Sequence, residues 1–207
     1  MLNQNRVNIR KLPSYPLTQD FIKKEEGLRL DVYLCPAGVK TAGWGHAVEP
    51  HDRLNSGDII SEDRAWQFLE SDLVKAYQSL FRLVHVPLTD NQQTALVSFI
   101  FNLGAGRFQA STLRSKLNRQ EYKAASLEFE RWVYARHPTE GLVKNRGLMS
   151  RRKREKMLFL LHEPHGMPLK PHMNISPFQY QKPKLSTPRL STWQKAAAVF
   201  IGLFKTG

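Results

Sequence analysis

In the stretch "EEGLRLDVYLCPAGVKTAGWGH", residues 25–46, a carboxyl group, a thiol and a hydroxyl follow one another at set intervals. Glu26 is followed nine positions later by Cys35, the single cysteine of the chain, and six positions after that by Thr41. Such a trio could split a glycosidic bond. That chemistry commonly needs a carboxylic acid to protonate the leaving oxygen. It also needs a group on the other face of the sugar to act on water or on the anomeric carbon. Glu26 directly precedes Gly27, a natural helix stop, and Ile22 lies one turn earlier on the same face. An apolar neighbour and partial burial disfavour a charged carboxylate, which is the direction an acid working near neutrality requires. Taken alone, a Glu-Glu pair at a helix end is ordinarily solvated surface, and a lone cysteine is ordinarily a small buried hydrophobe.

The elements that must position these groups are mostly helical. "TQDFIKKEEG" offers Thr18 as an N-cap and Gly27 as the stop, so Glu26 ends that helix. "LRLDVYLCPAGVKTAGWG" is rich in β-formers around a Pro36-Ala37-Gly38 turn and reads as a small hairpin or sheet. "SEDRAWQFLESDLVKAYQSLFRLV" opens on Ser61 and repeats Ala65, Phe68, Leu69, Leu73, Ala76 and Leu80 at helical spacing. "TDNQQTALVSFIFNLG" carries Thr89 and Gln92 as a capping box and Gly104 as a stop. "STLRSKLN", "QEYKAASLEFERWVYA" and "SRRKREKMLFLL" complete the helical set, the last read as a solvated basic face. Trp66 and Trp132 fall within helical patterns and read as core.

Charge marks the ends of this unit. The 207 residues carry a net +13, yet every acid lies between Asp20 and Glu163. Residues 1–17 carry +3 and residues 164–207 carry +6, both without an acid. The expected organisation is a basic tail over 1–17, a domain over 18–163, a Pro-rich basic linker over 164–190 and a cationic apolar helix over 191–207. Pro164, Pro168, Pro171, Pro177, Pro183 and Pro188 keep the linker extended. In the last segment, Trp193, Ala196, Ala197, Phe200, Ile201 and Phe204 share a helical face that suits either docking on the domain or an anionic membrane surface. The longest apolar run, Ala196–Phe204, is far shorter than the roughly 20 residues that span a bilayer. No signal peptide is visible. One cysteine excludes an internal disulfide. No Cys/His cluster has metal-ligand spacing and no Gly-rich stretch has phosphate-loop spacing, so neither metal nor cofactor is expected.

The pattern Glu26, eight residues, Cys35, five residues, Thr41 resembles the E-x8-(D/C)-x5-T signature of phage-type lysozymes, the endolysins of glycoside hydrolase family 24. "ISEDRAWQFLESDL", "VPLTDNQQTALVSFIFNLGAGRFQASTLRSKLN" and "EFERWVYARHPTEGLVKNRGLMSRRKREKMLFL" resemble the same family in the same order. The likeness covers about residues 18–162. It implies an α+β, mostly α, two-lobed fold: a small β-containing N-terminal lobe and a helical C-terminal lobe joined by a long helix. It implies cleavage of the β-1,4 bond between N-acetylmuramic acid and N-acetylglucosamine in peptidoglycan. By position, Glu26 would be the general acid, Cys35 would stand where aspartate is more usual, and Thr41 would help hold the attacking water. Phe101, Asn102 and Ser111 resemble positions lining the family's sugar cleft, and His46 resembles a structural histidine. A thiol of ordinary pKa is largely neutral at pH 7. Water positioning with net inversion is therefore favoured over a thiolate base, and a covalent route ranks last.

Other readings of the same residues are a lytic transglycosylase leaving 1,6-anhydro ends, and a non-enzymatic protein that binds peptidoglycan and membranes. Specific nucleic-acid binding rests on charge alone and lacks a fold signature. The protein is expected to act as a monomer on peptidoglycan. It would wait in the host bacterial cytoplasm until a holin opens the membrane and then reach the cell wall.

Overall fold

The computed structural model describes residues 6–35, 38–137, 139–161 and 174–175. The linker apart from Asn174–Ile175, and the whole of 191–207, lie outside the described residues. In chain order the elements are β1 (Arg6–Val7), α1 (Ser14–Glu26), β2 (Arg29–Leu34), β3 (Lys40–Gly43), β4 (His46–Ala47), α2 (Glu62–Leu83), α3 (Asp90–Leu103), α4 (Ala105–Gln109), α5 (Thr112–Asn118), α6 (Tyr122–Leu127), β5 (Tyr134–His137), β6 (Gly141–Lys144), α7 (Arg146–Leu160) and β7 (Asn174–Ile175). Short 3-10 turns cover Ile9–Lys11, Pro50–Asp52 and Phe129–Arg131.

Strands β2, β3 and β4 form an antiparallel sheet in that order, pairing Tyr33 with Thr41, Leu34 with Lys40, and Thr41 with Ala47. This sheet is the core of the small lobe. The 22-residue α2 runs from it to the helical lobe, packing on β3, β4, α3 and α4. Every position of its apolar repeat (Ala65, Phe68, Leu69, Leu73, Ala76, Leu80) is buried. Ser61 accepts a hydrogen bond from the Arg64 amide and caps α2, while Thr89 and Gln92 form the reciprocal capping box of α3. In the helical lobe, α3 is the hub. Its Phe99 meets Phe108, Phe129 and Trp132 edge-on at 5.2–6.2 Å between centroids. Trp66 and Trp132 are partly buried against this core.

Three expectations need correction. The N-terminal boundary is not at residue 18, because Ile9, Leu12 and Tyr15 are buried in the core and Arg10 is ion-paired with Glu70 on α2. The first helix starts at Ser14, and Thr18 is interior: its hydroxyl donates to the Ser14 carbonyl at 2.8 Å. Pro16 falls in the first turn, where its missing N–H has no intrahelical partner to lose. Finally, "QEYKAASLEFERWVYA" is not one helix. It stops at Leu127, makes a 3-10 turn that buries Phe129, and continues as strand β5 paired with β6. Tyr134, a good strand former, opens β5 after Trp132 and Val133 leave the turn, and Gly141, at φ 77°, allows the hairpin to turn.

Candidate active site

Glu26 is the last residue of α1, and Gly27 (φ 67°) breaks the helix after it. Its two carboxylate oxygens face different surroundings. Oε1 accepts a hydrogen bond from Nη1 of Arg151 on α7 at 2.5 Å. Oε2 faces the turn between β3 and β4, where a Cβ built on Gly45 would lie 3.3 Å from it. Gly45 sits at φ 84°, so the backbone passes close to the carboxylate in a conformation that side chains other than hydrogen rarely adopt. Ile22, one turn back, is fully buried, as its place on the inner face predicts.

Cys35 and Thr41 meet at the β2–β3 hairpin. The Cys35 amide donates to the Val39 carbonyl at 2.9 Å, and the Thr41 hydroxyl donates to the same oxygen at 3.0 Å. Thr41 is buried and Cys35 is half-buried. Having given its only proton to Val39, the threonine hydroxyl presents acceptor lone pairs alone.

Gly45 also lines a cleft of about 240 Å³ between the lobes, together with Ala47, Asp72, Lys75, Phe101 and Gly104. Phe101 thus stands in the cleft wall. Asn102 is not among the lining residues, and its side-chain oxygen accepts from Arg152 Nη2 at 3.0 Å. Nor is Ser111, which is buried as the N-cap of α5, accepting from the Arg114 amide and donating to the Phe108 carbonyl. The geometry therefore sets Glu26 against Gly45, which shares the cleft wall with Phe101, while Glu26, Cys35 and Thr41 are not themselves among the lining residues and Ser111 has a capping task. His46 is buried between two carboxylates, Asp72 on Nδ1 at 2.7 Å and Asp52 on Nε2 at 3.2 Å, and stacks on Phe68 at 4.0 Å. Burial pushes the imidazole pKa down, but Asp72 and then Asp52 outweigh that and leave it raised. Both ring nitrogens are occupied, so His46 supports the sheet against α2.

The basic run "SRRKREKM", read as a solvated face, is instead partly buried. Arg151, Arg152 and Glu155 are among the most buried polar side chains in the protein. Glu155 Oε1 receives Arg151 Nε at 3.1 Å, Arg152 Nη2 at 3.0 Å and the Ser98 hydroxyl at 2.7 Å. Arg151 Nη2 also donates to the Ser98 carbonyl. Next to this group, Arg154 forms a two-pronged pair with Glu25 at 2.6 Å. Burial pushes the Glu25 pKa up, and the Arg154 pairing overcomes it to leave it lowered. Arg151 is thus a buried partner of Glu26 that the basic run did not announce. Among the described residues, no cluster of three or more His, Cys, Asp or Glu side chains could hold a metal ion.

A family model described as phage lysozyme matches residues 23–155. An endolysin of Acyrthosiphon pisum secondary endosymbiont phage 1 is 43% identical over 143 residues, covering 67% of this chain and 91% of the relative. The endolysin of Salmonella phage P22 is 36% identical over 140 residues, covering 67% and 92%. Among solved structures, the muramidase domain of SpmX from Asticaccaulis excentricus superposes with a TM-score of 0.63 at 32% identity, over 70% of this chain and 96% of that one.

Proposed function

The chain belongs to the phage lysozyme family, and on that footing we propose that Glu26 is the general acid of its reaction, with Thr41 and Cys35 holding the attacking water. The protein is a glycoside hydrolase, a muramidase that cleaves peptidoglycan and lyses bacteria. The observation that carries the assignment is the division of labour on one carboxylate. Arg151 fixes Oε1, and Oε2 is left against Gly45, a residue of the cleft wall. A proton on Oε2 can pass to the glycosidic oxygen as the bond breaks, while Arg151 steadies the carboxylate that remains.

Thr41 then acts on water. Its lone pairs accept one water O–H, which turns the water's own lone pair toward the anomeric carbon. The Cys35 thiol, fixed by its amide to the same Val39 carbonyl, is the second contact. Water arriving opposite the leaving group inverts the anomeric configuration, and its surplus proton passes to bulk solvent once the new C–O bond has formed and the glycosidic bond has broken. Phe101 supplies an apolar wall for a sugar face, and Asn102 acts one layer back by fixing Arg152.

Digestion of purified peptidoglycan by wild type and Glu26→Gln, with mass analysis of the ends, tests this reading. Hydrolysis leaves reducing muramic acid ends, and Glu26→Gln lowers the rate by about 10²–10⁴-fold. Ends lighter by one water would make the enzyme a transglycosylase. A covalent adduct trapped on Cys35 would refute inversion, and Cys35→Ser with full activity would remove the thiol from the mechanism.

Endolysins act on the cell wall. The route inferred for this one is retention in the cytoplasm until a holin opens the membrane. Residues 191–207 then add attraction to an anionic membrane surface, and the enzyme works as a monomer.

A further inference from the structure

Glu25 and Glu26 end the same helix, and each meets an arginine of α7, but in different ways. Arg154 grips Glu25 with two nitrogens, one on each carboxylate oxygen. Arg151 gives Glu26 a single nitrogen, Nη1 on Oε1. The difference lies in what else Arg151 holds. Its Nε donates to Glu155 Oε1 at 3.1 Å, and its Nη2 donates to the carbonyl and hydroxyl oxygens of Ser98, each at 3.2 Å. Every nitrogen of its guanidinium is committed, and none is left to turn toward Glu26 Oε2. Glu155 is the second anion on this arginine, and it is fully buried. Its Oε1 also receives Arg152 Nη2 at 3.0 Å and the Ser98 hydroxyl at 2.7 Å. Arg152 in turn donates to Asn102 and lies over the Phe99 ring at 4.8 Å. Burial pushes the Glu155 pKa up, and Arg152, then Arg151 and Ser98, pull it down without cancelling the rise. The charged groups that face this unit are Arg151, Arg152 and Arg154 of α7 with Glu25 and Glu26 of α1. From α3 the contacts are the uncharged Ser98 and Asn102. Beyond them, Glu130 of the Phe129–Arg131 turn is paired with Lys156, and Lys123 of α6 lies toward the other end of α7, beside Leu160.

We propose that Glu155 is a positioning residue for the reaction: it holds Arg151 by Nε and balances part of its charge, so that Glu26 can keep a proton with an arginine beside it. The proposal rests on Glu26 being the general acid. A guanidinium next to a carboxyl group favours the ionised form. That is the wrong form for a group that must donate a proton. Charge and geometry together resolve the conflict. When Glu26 is protonated, two cations, Arg151 and Arg152, are opposed by the one anion Glu155. Without that anion both cations would act on the Glu26 proton unopposed. Arg152 works in the opposite sense, because its loss would leave two carboxylates sharing Arg151. Geometry supplies the rest. With Nε and Nη2 tied to Glu155 and Ser98, only Nη1 reaches Glu26, and Oε2 remains for the proton. Glu25, held on both oxygens by Arg154, has no such oxygen to spare.

The test reads kcat/KM against pH on solubilised glycan strands for wild type, Glu155→Gln, Arg152→Met and the double variant. The basic limb of that profile reports the acid losing its proton in the free enzyme. Glu155→Gln keeps the size of the side chain and removes the anion, so the limb should move to lower pH by about one unit. Arg152→Met removes a cation, so the limb should move to higher pH by a similar amount. The double variant removes one charge of each sign, and its limb should return close to that of wild type. A residue that served packing alone would lower the rates and leave the limb in place. An unmoved limb in Glu155→Gln would overturn the proposal, and so would shifts of the same sign in the two single variants. If Glu155→Gln does not fold, the other two variants decide. Arg152→Met must then raise the limb and the double variant must bring it back, and failure of either overturns the positioning role. Glu26→Gln keeps the two readings apart. Wild-type rates with an unchanged limb in Glu26→Gln would mean that the acid assignment has failed, and the positioning role with it. Activity lost in Glu26→Gln, with the limb unmoved in Glu155→Gln, would overturn the positioning role alone.

Discussion

Replacing Gly45 with alanine separates two effects that are usually entangled. The first is backbone strain. Gly45 sits at φ 84°, and a residue with a Cβ in the left-handed region costs about 1–2 kcal/mol. For a domain of this size, that is a fall in Tm of roughly 2–8 °C. The second effect is on the acid. The new methyl group would stand 3.3 Å from Glu26 Oε2, 3.6 Å from Cδ and 3.9 Å from Cγ. The carboxylate must then give by a few tenths of an ångström. A 1 Å misplacement of a reacting group costs about 10²-fold, so this smaller shift predicts a loss of about four- to tenfold in kcat. Gly57→Ala is the matched control. Gly57 has φ 91°, and a Cβ there would meet nothing within 4 Å. Both variants should lose comparable thermal stability by calorimetry, and only Gly45→Ala should slow release of reducing ends from purified peptidoglycan. Equal kcat values in the two variants would refute the claim that the Gly45 turn shapes the position of the acid.

Arg151→Met should cost about 3–5 kcal/mol in denaturant unfolding, because it leaves Glu26 and the fully buried Glu155 short of a partner. A loss under 1 kcal/mol would mean the network is not holding α1 to α7. The raised pKa of His46 gives stability that is fully present below the ordinary histidine value of about 6.5 and is lost as pH rises through the raised value. Asp72→Asn should therefore flatten the fall of Tm that begins as pH rises past about 6.5, and an unchanged slope would exclude the His46–Asp72 pair as its source. Deleting 191–207 should reduce lysis of intact Gram-negative cells more than digestion of purified peptidoglycan, whereas equal loss on both would mean that the segment stabilises the domain.

Much of the fold was legible because local rules and tertiary demands coincide. The apolar repeat of α2 lies on its buried face, and the caps at Ser61, Thr89 and Gly104 stand where their side chains or missing side chain predicted. Legibility failed where a distant partner decides the outcome. Thr18 is a good N-cap residue, but Tyr77 and Thr94 take its hydroxyl into a buried cluster, and the helix extends past it to Ser14. Ser111 has the right type and place for a sugar contact, yet its own helix uses it as a cap. Charge composition suggested a tail over residues 1–17, but one ion pair, Arg10 with Glu70, and three buried apolar side chains draw half of that segment into the core.

The missed arginines follow from the same cause, and "EEG" carries the trace of it. Glu25 and Glu26 stand at the C-terminal end of α1, where the helix dipole is negative and acidic side chains are disfavoured. Lys23 and Lys24 in the same turn fit that dipole, but two consecutive carboxylates after them do not. Such a local misfit persists only if cations from elsewhere offset it, and α7 supplies two: Arg151 to Glu26 and Arg154 to Glu25. A run that looks like a solvated basic face, "SRRKREKM", is thus the counter-charge for a pair of acids that its own helix would repel. Glu26 needs the helix end because there its side chain leaves the core and faces the sheet. Arg151 needs its burial because a guanidinium in water would be free to turn away from Glu26, whereas the exposed Arg154 relies on its two-pronged contact with Glu25. The placement of Glu26 proposed for catalysis and the buried ion network are therefore one requirement, met on two helices 125 residues apart in sequence.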